Sequence, residues 1–157
     1  MLTAVIVTYN RKELLSQNIE MLLKQTMTVD SIIIVDNCSS DGTYEYLKNC
    51  GWTTEPYLKT ETNIGGAGGF YTGVKAAYEA GADWIVLMDD DGRMADEHTM
   101  EILYRAARKL YDENRGERKL FVNALVQKAC EKKIERDRKR GIKNRPVRAM
   151  IVGIPNV

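Results

Sequence analysis

The chain has 157 residues, 44% of them hydrophobic and 29% charged, with 12 Gly, 3 Pro and a net charge of +1. That balance fits one globular domain long enough to bury a core, and excludes a collagen-like, disulfide-scaffold or predominantly disordered chain. No stretch approaches the ~18 to 20 apolar residues of a membrane-spanning helix, and the apolar run at residues 4–7 has no basic leader, so a cytoplasmic protein is expected.

Residues 2–8 form a β-branched apolar run that predicts a buried strand. From Arg11 a helical pattern follows, with Leu14, Leu15, Ile19, Leu22 and Leu23 assigned to one face. Residues 31–35 read as a second buried strand, stopped by the turn formers at 36–42. A short helix is expected at 43–50 with Tyr46 and Leu47 inward, then a weaker strand at 56–60. The glycines at 65, 66, 68 and 69 open a helix through Val74, Ala77 and Tyr78 that ends at Gly81. Residues 84–88 are the fourth strand, closed by Asp89, Asp90, Asp91 and Gly92. A helix from about 96 to 110 carries Met100, Leu103, Ala107 and Leu110.

Beyond Tyr111 the pattern weakens. Residues 120–126 suit a further strand, 127–140 a basic helix, and 149–157 are apolar with no evident partner. Residues 128–148 hold ten Lys/Arg against three Asp/Glu, a local +7, so the remainder carries −6. The tail lacks aromatic residues, which argues against stacking on nucleic acid bases; a solvated, partly helical tail is the default reading, and anionic membrane lipid the better of the anionic partners. Cys38, Cys50 and Cys130 are odd in number and without C-x-x-C spacing, which predicts free thiols.

Continuously apolar strands alternating with helices predict an α/β fold, a parallel sheet covered on both faces. Ligands of such sheets bind beyond the carboxyl ends of the strands. Thr8, Tyr9 and Asn10, then Asp36 and Asn37, then Asp89, Asp90 and Asp91 all fall at those ends. In an extended segment alternate side chains share a face, so Asp89 and Asp91 can meet one ion while Asp90 turns away. Magnesium or manganese suits one or two carboxylates plus substrate phosphate. The residues alone leave an acidic solvated turn as the other reading. Asp36 can accept hydrogen bonds from a base or ribose, or cap its own loop, a task for which Asp41 with Gly42 reads as better placed. The glycine cluster matches neither G-x-G-x-x-G nor a Walker loop.

Four blocks in order, Val-Ile-Val-Thr-Tyr-Asn-Arg at 5–11, Ile-Val-Asp-Asn-Cys-Ser-Ser-Asp-Gly-Thr at 34–43, Asn-Ile-Gly-Gly-Ala-Gly-Gly-Phe at 63–70 and Met-Asp-Asp-Asp at 88–91, resemble family 2 glycosyltransferases of the GT-A fold. The glycine string with the triple Asp is most similar to the galactofuranosyltransferase and rhamnosyltransferase branch. The resemblance implies a Rossmann-like, mostly parallel sheet in which Thr8, Tyr9, Asn10 and Asp36 meet the nucleoside of a UDP- or dTDP-linked sugar. It places Asn63, Gly65 and Gly66 near the diphosphate and sugar, Asp89 and Asp90 on the donor, and Asp89 and Asp91 on a Mg2+ or Mn2+ ion. Inverting transfer to a glycan or lipid-linked acceptor follows, with peripheral contact at the inner membrane face and no nucleic acid partner. The expected organisation is an incomplete sugar-nucleotide-binding domain at 1–127 and a basic tail at 128–157.

Only 66 residues follow Asp91, and they offer no acidic motif after a strand, so no general base is nominated. Asp112, Glu113 and Glu117 read as a solvated face, and His98, the single histidine, as a surface residue. The expectation is a donor-binding half in which donor hydrolysis outruns transfer. A non-catalytic sugar-nucleotide-binding remnant is the alternative. A more distant one is a haloacid-dehalogenase-like phosphatase, because Asp89-Asp-Asp-Gly92 resembles that family's D-x-D-G motif.

Overall fold

The structure, a computed structural model, describes residues 1–52, 56–113 and 148–151. Its elements run β1 (Leu2–Thr8), α1 (Lys12–Leu23), β2 (Ser31–Asp36), α2 (Thr43–Asn49), β3 (Tyr57–Lys59), α3 (Gly65–Ala80), β4 (Trp84–Asp89), α4 (Thr99–Glu113) and β5 (Arg148–Ile151). The strands pair in the order β3-β2-β1-β4-β5, all parallel. The expected α/β architecture, a parallel sheet with helices on both faces, is what forms.

The apolar strands bury two faces at once. Leu2, Ala4 and Ile6 of β1 join Ile34, Val86 and Met88 on one face, against Leu15, Ile19 and Leu22 of α1, Leu47 of α2 and Met100 of α4. Val5 and Val7, with Ile33, Val35, Ile85 and Leu87, face the other way, against Val74 and Ala77 of α3. Each fully buried Leu, Ile or Val contributes roughly 1.5–3 kcal/mol. Two glycines let α3 approach. A Cβ on Gly73 would stand 2.2 Å from Val5 Cγ1, and one on Gly69 2.6 Å from Val7 Cγ1.

The chain steps outward from β1 to β2 to β3 with α1 and α2 on one face. It then returns through α3 on the other face to place β4 on the free side of β1. The direction of winding reverses between β1 and β4, which opens a crevice at the carboxyl ends of those strands. Register sets the level: Thr8 is paired with Asp36, and Val7 with Asp89.

Four local readings change. Leu22 is buried but Leu23, about 100° further round the helix, is turned to solvent at 46% exposure. α4 begins at Thr99 rather than near 96. Asp96 Oδ1 accepts from His98 N (2.9 Å) and Thr99 Oγ1 (3.1 Å), and Asp96 N donates to Thr99 Oγ1 (3.0 Å), a reciprocal cap that delays the first turn. Tyr46 is only half-buried, with Lys12 Nζ 5.6 Å from its ring centre. Residues 149–151 of the apolar stretch without an evident partner have one: with Arg148 they form β5, which pairs with β4, Trp84 opposite Arg148 and Leu87 opposite Ile151. The strand read at 120–126, the helix at 127–140, the Leu110 side chain, Glu117 and Cys130 lie outside the described residues.

Candidate functional site

Thr8, the last residue of β1, is buried, and its Oγ1 donates to Asp90 Oδ2 (2.9 Å). The next amide, Tyr9 N, donates to the same oxygen (3.3 Å). Asp90 is thereby turned into the protein at 4% exposure. Its other oxygen, Oδ1, accepts from Arg11 Nη1 (3.3 Å), and that nitrogen also reaches Asp91 Oδ2 (3.1 Å). Asp89 and Asp91 remain on the open side. The three carboxylates thus divide by alternation, the middle one tying β4 to the β1 loop and the outer two facing solvent.

That division has an electrostatic consequence. Partial burial raises the Asp89 carboxyl above its ordinary value, repulsion from Asp91 and Asp90 adds to this, and Arg11 only partly offsets it. The turn itself is braced from behind. Asn18 of α1 donates from Nδ2 to the Asp89 carbonyl (2.9 Å), and Gly92 N donates to the same oxygen (3.0 Å). Asn18 sits on the apolar stripe of α1, and its buried Oδ1 has no partner among the described residues. A lone amide at a core position of a helical pattern is the signal that would have revealed this brace.

The neighbouring strand end is built differently. Asp36 is wholly buried, with Oδ1 accepting from Ser39 N (2.7 Å) and Oδ2 from the Tyr57 hydroxyl. It therefore does cap its own loop, a task that the sequence assigned to Asp41. Asp41 makes a separate turn, accepting from Thr43 N (3.1 Å) and Lys12 N (3.3 Å). Lys59 Nζ lies 3.9 Å from Asp36 Oδ2 and donates to the Ser39 carbonyl (2.9 Å). Burial, then the hydrogen bond and charge of Asp36, push the Tyr57 hydroxyl far above its ordinary range, so it stays a donor.

Asn37 joins this end to α3. Its Nδ2 donates to the Gly65 carbonyl (3.0 Å), and its Oδ1 accepts from Ile64 N (3.0 Å). Asn63 Oδ1 accepts from Gly65 N (2.9 Å), while Asn63, Gly65 and Gly66 are all exposed. Gly65 has φ +72, and a Cβ on Gly66 would meet nothing within 4 Å. Asn10, with φ 54, accepts from Ser40 N (2.8 Å) through Oδ1, and its amide donates to Ser39 Oγ (2.9 Å). Cys38 likewise has φ 68, a left-handed position for a residue with a Cβ. Cys38 and Cys50 are free thiols.

All the residues singled out at the strand ends therefore share one edge of the sheet. Tyr9 is exposed there at 46%. Thr8, Asp36 and Asp90 sit behind it as supports. Arg11, Asn18 and Tyr57 are not among the residues that the sequence singles out, and their contacts, with those of Asn37, complete the frame. His98 stands apart: its Nδ1 lies 3.2 Å from Thr26 Oγ1, past the far end of α1, and the twelve residues of that helix put about 18 Å between it and Arg11. Asp112 and Glu113 make exposed i,i+4 pairs with Arg108 and Lys109.

Among the described residues no three His, Cys, Asp or Glu side chains are arranged to hold a metal ion. The donor set present, two outward carboxylates short of positive charge, is what Mg2+ or Mn2+ needs when substrate phosphate and water supply the rest. The residues fit such an ion.

A sequence model of "Glycosyl transferase family 2" matches residues 3–118, the whole of this frame and nearly three-quarters of the chain. The chain belongs to glycosyl transferase family 2. The D-x-D-G strand falls inside that match, which leaves the phosphatase alternative without support. Galactofuranosyltransferase GlfT1 of Mycolicibacterium smegmatis is 40% identical over 104 residues, 66% of this chain and 34% of the relative. Its Mycobacterium tuberculosis counterpart is 38% identical over 108 residues, 68% of this chain and 35% of the relative. The chain thus spans about a third of the length of these curated relatives. Among solved structures, S. aureus TarS in complex with UDP-GlcNAc superposes with a TM-score of 0.56 at 20% identity, over 73% of this chain and 32% of that one. The mannosyltransferase PcManGT from Pyrobaculum calidifontis, in complex with GDP-Man and Mn2+, gives 0.51 at 19% identity, over 61% and 29%. At those identities the structures establish the shared fold. Among the described residues no helix is long and apolar enough to cross a membrane.

Proposed function

We propose that the edge formed by β1, β2 and β4 binds the nucleoside diphosphate of a sugar donor, together with Mg2+ or Mn2+, for inverting transfer to a glycan or lipid-linked acceptor. The observation that carries this is the lacing of the β4 terminus to the β1 loop through Asp90, which leaves Asp89 and Asp91 as a paired anionic mouth. The names of the curated relatives support a galactofuranosyl or related sugar, and a TarS complex supports a uridine nucleotide.

In this reading Tyr9 offers its exposed ring to the nucleoside. Asp36 holds Tyr57 and the Ser39 loop in place, and reaches the nucleoside itself only where Tyr57 releases its oxygen. Asn63, Gly65 and Gly66 let backbone approach the diphosphate and sugar, since no side chain fills the space over Gly66. Asp89 and Asp91 would hold the divalent ion. When bound, that ion offsets the diphosphate charge and stabilises the departing nucleoside diphosphate. The basic segment at 128–148, of which only Arg148 is among the described residues, suits contact with anionic membrane lipid.

Calorimetric titration with UDP and dTDP, each with and without Mn2+, tests the site. Binding should require the metal, and Asp91→Ala should weaken it at least tenfold, about 1.4 kcal/mol. Equal affinity with and without metal overturns the assignment of Asp89 and Asp91.

A further inference from the structure

Arg11 is the cation in contact with the acidic turn, and its contact has an unusual form. A guanidinium normally grips a carboxylate with two nitrogens in parallel, which makes the pair both strong and directional. Here a single nitrogen, Nη1, is divided between Asp90 Oδ1 at 3.3 Å and Asp91 Oδ2 at 3.1 Å. The two halves of the bridge differ in their surroundings. The Asp90 side chain is 6% exposed and also holds Thr8 and Tyr9, whereas those of Asp91 and Arg11 are 37% and 53% exposed. An exposed ion pair of the second kind contributes little to stability. Charge balance at the turn is also unfinished, because three carboxylates face one guanidinium and a further double positive charge would close it.

We infer that Arg11 is a resident counter-ion for Asp91 that an incoming divalent cation must displace. It pivots on Asp90 as it leaves, and so sets the metal concentration at which the site fills. This rests on the reading of Asp89 and Asp91 as the metal pair given above. Asp90 keeps its protein partners throughout, so the β1–β4 lacing survives the exchange. Arg11 is thus a positioning residue acting through Asp91. Without it, the ion would meet no competitor and a more negative mouth.

The test is calorimetric titration of the full chain with Mn2+ alone, in the wild type, Arg11→Gln and Arg11→Lys. Arg11→Gln should bind Mn2+ at least fivefold more tightly than wild type. Arg11→Lys, which keeps the charge, should fall between them. Unchanged or weaker Mn2+ binding in Arg11→Gln overturns the inference, since an organiser of the carboxylates would give that result. A second measurement needs no variant: in the wild-type protein the Arg11 Nε–Hε resonance should shift as diamagnetic Mg2+ is added, and a resonance unmoved at saturation overturns the inference. The underlying site stands or falls separately. Metal-dependent UDP binding by the wild type with no effect at Arg11 removes only the counter-ion role, whereas absent UDP–Mn2+ binding removes the metal pair itself.

Discussion

Asp89, one of the two carboxylates proposed to hold the metal, burdens the fold that carries it. Its carboxyl is raised by partial burial first and by Asp91 and Asp90 next. A raised carboxyl contributes stability in full below its unfolded value of 3.8 and loses it as pH climbs through the folded value. Above that window the ionised group is a liability that a neutral amide lacks. Asp89→Asn should therefore melt at a higher temperature than wild type at pH 7 without metal, with the advantage fading as pH falls towards 3.8. Thermal melts across that range, repeated with Mn2+ and UDP, should show the order reversed once ligand is present. Tyr57 makes the complementary case. Its hydroxyl satisfies one oxygen of the wholly buried Asp36. Tyr57→Phe leaves that oxygen without its donor, and urea unfolding should report a loss of ~1–3 kcal/mol. A loss below about 0.3 kcal/mol would mean that Lys59 or water takes over the oxygen.

At the level of elements, α3 carries two kinds of glycine. Gly73 faces β1, where an added Cβ would stand 2.2 Å from Val5 Cγ1 and 3.1 Å from Val35 Cγ2. Gly66 faces open space at the first turn of the helix. Gly73→Ala should destabilise by ~1–3 kcal/mol through overpacking. Gly66→Ala should leave stability unchanged or raise it by up to ~1 kcal/mol through helix propensity, while weakening donor binding where backbone must approach the ligand. Chemical denaturation paired with UDP–Mn2+ titration separates the two. The strands were legible because a strand buried on both faces must be apolar through its middle, and β1, β2 and β4 are, with Thr3 the one polar residue inside their ends. β5 was not, because four residues of Arg-Ala-Met-Ile carry no period and their partner lies 64 positions away in the chain. The start of α4 was misplaced because the Asp96–Thr99 exchange of hydrogen bonds is a geometric fact that composition does not reveal. The same holds at the site. Alternation foretold that Asp90 would part from Asp89 and Asp91, but its partners Thr8, Tyr9 and Arg11 come from the far side of a crossover.

On the scale of the molecule, topology brings the chemistry together. The reversal of winding between β1 and β4 sets residues 8–11 beside residues 89–91, and Asn37 ties the β2 end to the glycine turn. The opposite end of the same face, where His98 meets Thr26, shares none of these contacts. This one edge is proposed to hold metal and nucleoside diphosphate together. Paramagnetic broadening tests it most directly, by adding Mn2+ to the isotope-labelled chain with UDP and reading the amide resonances. The strongest broadening is expected at Tyr9, Arg11 and Asp89 to Gly92, falling away along α1 towards Thr26 and His98, and abolished in Asp91→Ala. Broadening centred on Thr26 and His98, or a pattern indifferent to Asp91, would contradict it.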